Sequence, residues 1–310
     1  MNEPTPERIV VMTGATSGIG EHAVRRIAAQ PDTQVIIGAR GSGRIVPEGS
    51  TVIQLDLASL ESVRSFSDAV KQRLADDRID MLVLNAGIQY PNADQRSDDG
   101  FEKTFAVNHL GHYLLARELL PSMAEESRLV ITTSDTHDPT NFPFAPTGLD
   151  TQALAHPSNG GLDAGIRAYS ASKLCNLLTA QAFAELDEVN ARDIQIIAYN
   201  PGLTPDTSLM RNVSGLSGVI IGLMTSGFLG RMVFGFLSRF NENLYPETSE
   251  RAGVALAQLA LGAVTPPSGS IYASLVKGKI TFPDPSELAR SDEARDRLWR
   301  DSAEMVGVME

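Results

Sequence analysis

The sequence predicts an α/β fold, a doubly wound parallel sheet with helices on both faces. Short β-branched strands alternate with helical stretches, and a glycine-rich turn joins the first strand to the first helix. Short apolar strands separated by helical segments are typical of βαβ units, in which a parallel sheet is covered on both sides. Of the 310 residues, 42% are hydrophobic and 21% charged, which is a composition typical of a globular protein with a large core.

The strands are predicted at residues 8–12, 34–37, 51–55, 81–84, 129–133 and 194–199. Helical spacing covers 18–29, Ser59 can cap a helix that runs to about residue 74, and Pro121 ends a helix over 105–120. Residues 138–165, rich in Pro, Gly and Asn, are predicted as a surface loop. We expect one domain over residues 1–310, with a substrate lid at about 204–245.

The charge balance, the cysteine count and the amino terminus argue against several classes of protein. The 38 acidic and 26 basic side chains give a net charge of −12, which argues against nucleic-acid binding. One cysteine excludes an internal disulfide framework, and the five histidines lack metal-binding spacing, so no metal site is predicted. Residues 1–7 lack the basic and apolar regions of a signal peptide, so we expect a cytoplasmic protein.

Residues 213–230 contain no charged side chain, but they include five glycines and four Ser or Thr residues. A membrane span needs about 20 mostly apolar residues, so we favour a pair of short lid helices over a span. A peripheral membrane contact of this segment is the less favoured alternative. Four apolar side chains fit either a substrate pocket or the core of the lid itself: Phe228, Met232, Phe234 and Phe236.

The segment TGATSGIG, residues 13–20, follows the first strand and opens a helix. Glycines let backbone amides approach a pyrophosphate, and the helix N-terminus adds unpaired N–H donors. In this strand–turn–helix context the motif predicts a dinucleotide cofactor on a Rossmann-type sheet. The alternative is a tight turn without a ligand.

The end of the second strand indicates which dinucleotide binds. An Asp or Glu there would bind the ribose hydroxyls of NAD, whereas an Arg can accept the 2′-phosphate of NADP. Arg40 stands at that end, with Arg44 close by and no carboxylate. This favours NADP(H) over NAD(H). The alternative is that Arg40 is a solvated loop cation.

Tyr169 and Lys173 are four residues apart, which places them on one face of a helix. A phenol has an unperturbed pKa of about 10, and a nearby ammonium lowers it, so the pair suits general acid–base catalysis. Ser134 follows the fifth strand at the carboxyl edge of the sheet, where its hydroxyl could hydrogen-bond a substrate carbonyl oxygen. The alternative is that Ser134 only caps a loop.

With NAG at residues 85–87 and PG at 201–202, the ordered motifs resemble the short-chain dehydrogenase/reductase family over roughly residues 8–273. The resemblance implies a catalytic tetrad of Asn108, Ser134, Tyr169 and Lys173. Asn108 would support a water relay to Lys173, which would also bind the nicotinamide ribose. The cofactor contacts that it implies are Gly14, Thr16, Ser17, Gly18, Ile19, Gly20, Arg40, Asp56, Leu57, Asn85, Ala86, Gly87, Tyr169, Lys173, Pro201, Gly202, and Thr204 or Thr207.

Within that family, residues 108–115, 133–139 and 169–176 resemble the retinol-dehydrogenase-like and protochlorophyllide-reductase-like branch. The photoactive chlorophyll enzymes carry a cysteine just after the PG, where this chain has Leu203, so light-driven ring reduction is not favoured. The resemblance implies an NADP(H)-dependent oxidoreductase, a ketoreductase, acting on a lipophilic ketone or aldehyde or on a primary or secondary alcohol. Alternatives are double-bond reduction or epimerisation on the same scaffold, and a non-catalytic nucleotide sensor. A homo-oligomer is left open.

Two further side chains are expected to be structural. Cys175 lies two residues beyond Lys173 and so faces elsewhere on the helix, where we expect a packed thiol and not a nucleophile. His137, three residues beyond Ser134, is expected as a loop histidine, with substrate contact as the alternative.

Overall fold

The order of the strands decides where the functional groups meet. The computed structural model describes residues 8–41, 46–158, 161, 163–207, 242 and 245–309. Within these residues eight strands form one sheet: β1 (Arg8–Thr13), β2 (Thr33–Ala39), β3 (Thr51–Gln54), β4 (Ile79–Leu84), β5 (Met123–Thr132), β6 (Gln195–Asn200), β7 (Tyr272–Val276) and β8 (Lys279–Thr281). The order is β3-β2-β1-β4-β5-β6-β7-β8, in which β8 is antiparallel to β7 and the other pairs are parallel. The predicted sheet is confirmed, and its direction of winding reverses between β1 and β4, where such sheets bind ligands.

Helices cover both faces of the sheet, as predicted. They are α1 (Gly18–Ala28), α2 (Leu60–Leu74), α3 (Lys103–Phe105), α4 (Gly111–Leu119), α5 (Thr151–Ala155), α6 (Ala164–Glu185), α7 (Asp187–Ala191), α8 (Ser249–Ala260) and α9 (Asp292–Val306). On one face, α1 and α8 bury their apolar side chains against Val10 and Met12 of β1. On the other, α2, α4, α6 and α9 pack with Ile9 and Val11. Successive strand residues face opposite layers, so a strand buried on both faces is apolar throughout.

The helix predicted over 105–120 is not a continuous α-helix. After α3 comes a π-helical turn, Ala106–Leu110, in which the N–H of Gly111 bonds to the carbonyl of Ala106, and α4 follows. A short helical turn, Leu120–Ser122, contains Pro121 and ends the segment where the sequence predicts. Single π turns occur frequently at functional sites. This one contains Asn108.

The surface loop predicted over residues 138–165 is partly wrong. It contains α5, whose first turn is capped by the Asp150 carboxylate on the N–H of Ala153, and α6 already begins at Ala164. Aspartate is a preferred N-cap residue, so the signal for α5 is present in the sequence. The surrounding prolines and glycines outweigh it when composition alone is considered.

The carboxyl-terminal part of the sheet and its cover were not predicted. Lys277 and Gly278 join β7 to β8 with φ of 51° and 74°, the left-handed pair that a two-residue hairpin needs. Trp299 of α9 packs edge-on against Tyr113 and Phe183, with ring centres 5.1 Å apart in both pairs. This packing fixes α9 across α4 and α6. Residues 208–241 of the predicted lid lie outside the described residues, so the lid and the single-domain assignment stay predictions.

Candidate active site

The glycine turn between β1 and α1 packs against the segment that follows β4. Gly14 has a φ of +67°, and a Cβ there would stand 2.6 Å from the Cα of Ala86. A Cβ on Gly20 would stand 2.0 Å from the carbonyl oxygen of Gly14. Both positions therefore exclude a side chain, and at Gly14 the left-handed backbone also favours glycine.

The first turn of α1 offers hydrogen-bond donors to a ligand. Ser17, its N-cap residue, makes no side-chain capping bond, whereas Ser59 and Thr248 cap α2 and α8. The first amides of a helix have no intrahelical partner, and the helix dipole adds partial positive charge there. Thr16 is half-buried, and Ile19 packs on the core and anchors the turn. These residues fit the pyrophosphate of a dinucleotide.

Asn85 connects the ends of three neighbouring strands. Its Nδ2 donates to the carbonyl of Gly14 at 3.2 Å, and its Oδ1 accepts from the hydroxyl of Thr132 at 3.1 Å. The Oγ1 of Thr13 accepts the backbone N–H groups of Asn85 and Ala86, each at 3.1 Å. The glycine turn and the NAG segment are thus held in one network at the carboxyl edge of the sheet.

Gly87 and Asn108 mark the boundary between the cofactor side and the predicted catalytic side. A Cβ on Gly87 would stand 3.6 Å from both the Oδ1 of Asn108 and the Nζ of Lys173. The amide of Asn108 accepts from the N–H of Ile88 at 2.8 Å and donates to its carbonyl at 3.0 Å. It also donates to the Oγ of Ser172 at 3.0 Å. The Asn108 side chain therefore clamps the strand end to α6, and its water relay stays a prediction.

The adenine side of the predicted cofactor site is formed by the ends of β2 and β3. Arg40 is exposed directly after β2, and Arg44 lies outside the described residues. One carboxylate oxygen of Asp56 accepts the N–H of Ala58 at 3.0 Å. Leu57 is 7% exposed and packs in the core, so any cofactor contact there is limited to its backbone.

Helix α6 brings Tyr169 and Lys173 to the end of β5. Lys173 is 3% exposed, and its Nζ donates to the carbonyl of Thr132 at 3.1 Å and lies 5.6 Å from the centre of the Tyr169 ring. Ser134 begins a short helical turn, Asp135–His137, and its side chain hydrogen-bonds Tyr169. The structure therefore brings together the serine, the tyrosine and the lysine that the sequence singles out.

Burial dominates the titration of the Tyr169–Lys173 pair. Burial raises the pKa of Tyr169, and the charge of Asp135 raises it further, while the hydrogen bond with Ser134 lowers it. Burial lowers the pKa of Lys173 to about 8. The net shift in the pKa of Tyr169 is therefore upward, opposite to the expected direction, because burial disfavours the charged form of the phenol. A tyrosine that keeps its proton suits the role of a general acid.

Asp135 is a site residue that the sequence did not single out. Its Oδ1 accepts from the Oγ of Ser134 at 3.3 Å, and its charge raises the pKa of both Tyr169 and Tyr272. Burial raises the pKa of Asp135 itself to about 6, and the charge of Asp138 adds to this effect. The only signal in the sequence is its place directly after Ser134. The turn that brings its carboxylate back to Ser134 is visible only in the structure.

His137 and Cys175 are buried structural groups. The Nδ1 of His137 donates to the carbonyl of Ser134 at 2.6 Å, and its Nε2 accepts from the N–H of Ser286 at 3.4 Å. Both ring nitrogens are engaged, and burial lowers the pKa of the ring, so His137 is a buried group that links the turn after β5 to Ser286. Cys175 is fully buried, and burial raises the pKa of its thiol, as a packed thiol requires.

The PG turn follows β6 at the same edge of the sheet. Pro201 is buried, and Gly202 has a φ of +71°. A Cβ on Gly202 would stand 2.7 Å from the carbonyl oxygen of Leu275 in β7. A side chain at this position would displace the neighbouring strand, which explains the glycine.

Of the two candidate threonines after the PG turn, Thr207 reaches the glycine turn. Its methyl group lies 3.7 Å from the position that a Cβ on Gly18 would occupy. Thr204 is 9% exposed, and its carbonyl accepts from the hydroxyl of Thr207 at 3.0 Å. The carbonyl of Thr204 therefore helps to orient the side chain of Thr207.

Within residues 8–41, 46–158, 163–207 and 245–309, no helix is long and apolar enough to cross a membrane. Residues 213–230, the segment for which a peripheral membrane contact is the alternative, lie outside that part of the chain.

This chain is similar to a known protein family and to several named proteins. A family model described as short chain dehydrogenase matches residues 8–142. Protochlorophyllide reductase B, chloroplastic, of Hordeum vulgare is 33% identical over 96% of this chain and 78% of its own length. Protochlorophyllide reductase A, chloroplastic, of Arabidopsis thaliana is 31% identical over 96% of this chain and 76% of its own length.

Solved structures show the same fold. An uncharacterised protein from Mycobacterium Paratuberculosis has a TM-score of 0.69 at 25% identity, over 97% of this chain and 94% of that one. A short chain dehydrogenase from Burkholderia cenocepacia J2315, in complex with NADP, has a TM-score of 0.54 at 23% identity, over 83% of this chain and 92% of that one. The similarity extends well beyond the residues that the family model matches.

The names of the relatives correct one expectation. Those of Hordeum vulgare, Oryza sativa, Cucumis sativus and Arabidopsis thaliana are named chloroplastic, which contradicts the cytoplasmic location expected from residues 1–7. The expectation rested on the pattern of a secretory signal peptide, and that pattern does not report on other targeting routes.

The resemblance that rested on ordered motifs is confirmed, because relatives above 30% identity align with nearly the whole chain. The motifs predicted from the sequence also meet in space at one edge of the sheet. This chain is an oxidoreductase of the short-chain dehydrogenase/reductase family and belongs to its protochlorophyllide-reductase-like branch.

Proposed function

We propose that this oxidoreductase uses NADP(H) to reduce the carbonyl group of a lipophilic ketone or aldehyde, and to oxidise the matching alcohol in reverse. The observation that carries the proposal is the meeting of Ser134, Tyr169 and Lys173 at the sheet edge beside Gly87. A hydrogen-bond donor, a proton donor and a buried cation beside one opening are the groups that carbonyl reduction needs.

The residues at the glycine turn fit a dinucleotide. The uncapped first turn of α1 would hold the pyrophosphate, and Arg40 would pair with a 2′-phosphate. Asn85 and Gly87 would line the cleft, and Lys173 would bind the nicotinamide ribose. When bound, the cofactor supplies or accepts a hydride at its nicotinamide ring. The NADP-bound relative from Burkholderia cenocepacia supports the choice of NADP(H).

The side chains of this chain then have separate roles. In reduction, Ser134 donates a hydrogen bond to the substrate oxygen, and Tyr169 gives that oxygen its proton. Because burial and Asp135 raise the pKa of Tyr169, the phenol holds this proton at neutral pH. Asn108 keeps α6 at the correct distance from the end of β4 by its bonds to Ile88 and Ser172.

The lipophilic character of the substrate is supported by the sequence alone. Residues 213–230 carry no charge and belong to the segment predicted as a lid. Such a segment would give a water-poor pocket, in which hydrogen bonds to a developing oxyanion are stronger than in water.

Reduction of a carbon–carbon double bond is the second candidate, and the names of the relatives favour it. The curated relatives are named protochlorophyllide reductases. In such a reaction the proton from Tyr169 would go to carbon. Leu203 stands where the photoactive enzymes carry a cysteine, so we propose a dark reaction in either case.

The experiment that separates the two candidates follows a label. The protein is incubated with NADPH that carries deuterium on the transferred position, and with a panel of aldehydes, ketones, enones and protochlorophyllide. Deuterium on a carbinol carbon supports carbonyl reduction, and deuterium on a former alkene carbon supports the second candidate. The proposal fails if no member of the panel is reduced by NADPH or NADH.

Two variants test the assigned roles. We expect Tyr169→Phe to lower kcat by roughly 100-fold or more, because it removes the general acid, and Ser134→Ala to lower it by roughly 100-fold. Thermal unfolding of both variants serves as the control for folding. Unchanged turnover by Tyr169→Phe would overturn the mechanism.

A further inference from the structure

His112 lies between the glycine turn and the turn that contains Asn108. It is the second residue of α4 and is 2% exposed. One of its ring nitrogens contacts Thr13, 99 residues earlier in the chain, and the other contacts the carbonyl of Asn108.

The hydrogen bonds of Thr13 fix the direction of its proton. Its Oγ1 accepts two backbone N–H groups, those of Asn85 and Ala86, each at 3.1 Å. A hydroxyl has one proton and two lone pairs, so both lone pairs are engaged. The remaining contact, 2.9 Å to the Nε2 of His112, must therefore use the hydroxyl proton. The Nε2 accepts and carries no hydrogen.

The other nitrogen confirms the same form of the ring. The Nδ1 of His112 lies 3.1 Å from the carbonyl oxygen of Asn108. A carbonyl can only accept, so Nδ1 carries the hydrogen. Burial lowers the pKa of His112 to about 4, and the charge of Lys173 lowers it further, whereas the bond to the Asn108 carbonyl raises it. The ring is therefore neutral at neutral pH. The two bonds thus require one tautomer, and they support each other.

We propose that His112 is a positioning residue that couples the glycine turn to the Asn108 turn through the Nδ1–H tautomer of its ring. The Thr13 hydroxyl, oriented by His112, holds the NAG amides, which line the proposed cofactor cleft. The second bond of His112 goes to the carbonyl of Asn108, and the side chain of Asn108 in turn donates to Ser172 of α6. This inference rests on the proposed function, because the benefit to the protein is a pre-formed cofactor site.

The first test needs no ligand. Protein labelled with heavy nitrogen at histidine is examined by NMR between about pH 5 and about pH 8, the range in which an ordinary histidine titrates. We expect one histidine ring, assigned as His112 by its loss in His112→Phe, with hydrogen on Nδ1 and no change over this range. The charged or titratable groups that act on it are Lys173 and His109. Hydrogen on Nε2, or titration in this range, would overturn the tautomer.

The second test measures cofactor affinity against a matched control. His109 lies on the same helical segment, is equally buried and bonds the Oγ of Ser302 at 2.8 Å, away from the glycine turn. We expect His112→Phe to weaken NADPH binding by roughly tenfold, as the loss of a buried hydrogen-bond network does, and His109→Phe by less than roughly twofold. The measurement is titration calorimetry, with thermal unfolding of each variant.

Two further comparisons distinguish a positioning role of His112 from a packing role: rescue by His112→Gln, and a double variant with Thr13→Val. Gln at position 112 can place its amide oxygen near the Nε2 position and accept from Thr13, so His112→Gln should bind NADPH more tightly than His112→Phe. Thr13→Val should weaken binding in the wild-type background, and by less in the His112→Phe background. Additive effects, or equal losses in His109→Phe and His112→Phe, would reduce His112 to a packing residue.

The outcomes also separate this inference from the proposed function. If the wild-type protein binds neither NADPH nor NADH, the proposed cofactor is wrong. The proposed coupling is then also wrong, whichever tautomer His112 has. A wild-type protein that binds NADPH, with a His112→Phe variant that folds and binds it equally well, overturns only the coupling. If His112→Phe does not fold, the ring is assigned by its loss in His112→Gln instead, and hydrogen on Nε2 or titration of that ring still overturns the inference.

Discussion

The Nζ of Lys173 lies 5.6 Å from the centre of the Tyr169 ring and donates to the carbonyl of Thr132 at 3.1 Å. The amide of Asn176 donates to the same carbonyl at 3.0 Å. The lysine is thus held by the main chain of β5 beside the tyrosine, in a buried position that lowers its pKa to about 8. The burial of the Lys173 ammonium therefore provides a charge for catalysis and lowers the free energy of unfolding.

Replacement of Lys173 by methionine should separate these two effects. The folded pKa of about 8 is below the ordinary value of 10.5, so the lysine stabilises the fold only when it is neutral. That contribution is present above the unfolded pKa and is lost as the pH falls through the folded one. We expect Lys173→Met to raise the free energy of unfolding near neutral pH by up to about 3 kcal/mol, with a smaller gain at high pH.

The same variant should lose catalysis. We expect kcat to fall by roughly 100-fold or more, since the cation beside the proton donor is removed. Denaturant unfolding at several pH values and steady-state kinetics measure the two effects. Asn176 still donates to the Thr132 carbonyl, so no buried acceptor is left without a partner. This account is contradicted if Lys173→Met is active, or if its gain in stability over the wild type is smaller at neutral pH than at high pH.

Asp135 should control the basic limb of the pH profile. Burial is the main cause that raises the pKa of Asp135 from 3.8 to about 6. The carboxyl group therefore stabilises the fold only when it is protonated. This contribution is fully present below the unfolded pKa and is lost as the pH rises through about 6. We expect Asp135→Asn to raise the free energy of unfolding by about 2 kcal/mol above that pH and by little at acid pH. Removal of the charge should also lower the pKa of Tyr169 and move the basic limb of kcat/KM to lower pH.

Asp138 provides the comparison for this test. Its charge raises the pKa of Asp135, so Asp138→Asn should change the stability profile in the same direction and by less. Unfolding curves and kcat/KM profiles of the two variants, recorded over the same pH series, show the order of the effects. A basic limb that stays in place in Asp135→Asn would separate this carboxylate from the chemistry.

Alanine at Gly20 should disrupt the cofactor turn, because its Cβ would lie 2.0 Å from the carbonyl oxygen of Gly14. The contact is with backbone, so relief requires the turn to move. We expect a loss of about 3 kcal/mol in stability and a loss of NADPH binding of more than about tenfold. Gly148→Ala is the matched control, since nothing lies within 4 Å of its Cβ, and it should change stability by less than about 0.5 kcal/mol. Equal behaviour of the two variants would show that the turn is not packed as described.

Arg40 should decide the preference between the two dinucleotides. We expect Arg40→Ala to weaken NADPH binding by roughly tenfold and to leave NADH binding nearly unchanged, because a charge-assisted bond to the 2′-phosphate is lost. Arg8 is exposed at the opposite end of the sheet, so Arg8→Ala serves as the control. Calorimetric titration with each dinucleotide gives the ratio, and an unchanged ratio would remove Arg40 from the site.

The sequence predicted six of the eight described strands and the parallel character of the sheet, together with the residues proposed for the site. Short apolar runs identify buried parallel strands because both faces of such a sheet are covered, and glycines are needed wherever two backbones meet, as at Gly14 and Gly202. The hairpin at Lys277 and Gly278 was missed because β8 has only three residues, too few for a period to be seen.

What the sequence by itself determined is therefore the local part: the α/β pattern, the glycine turn, and the serine, tyrosine and lysine that motif spacing identifies. The tertiary structure decided the inward packing of Leu57, the carboxylate of Asp135 beside Ser134, and the bonds of His112. It also reversed the expected pKa shift of Tyr169. The physical reason is that burial and hydrogen-bond partners depend on residues distant in the chain, as the 99 positions between Thr13 and His112 show, whereas periodicity and motif spacing report only on neighbours.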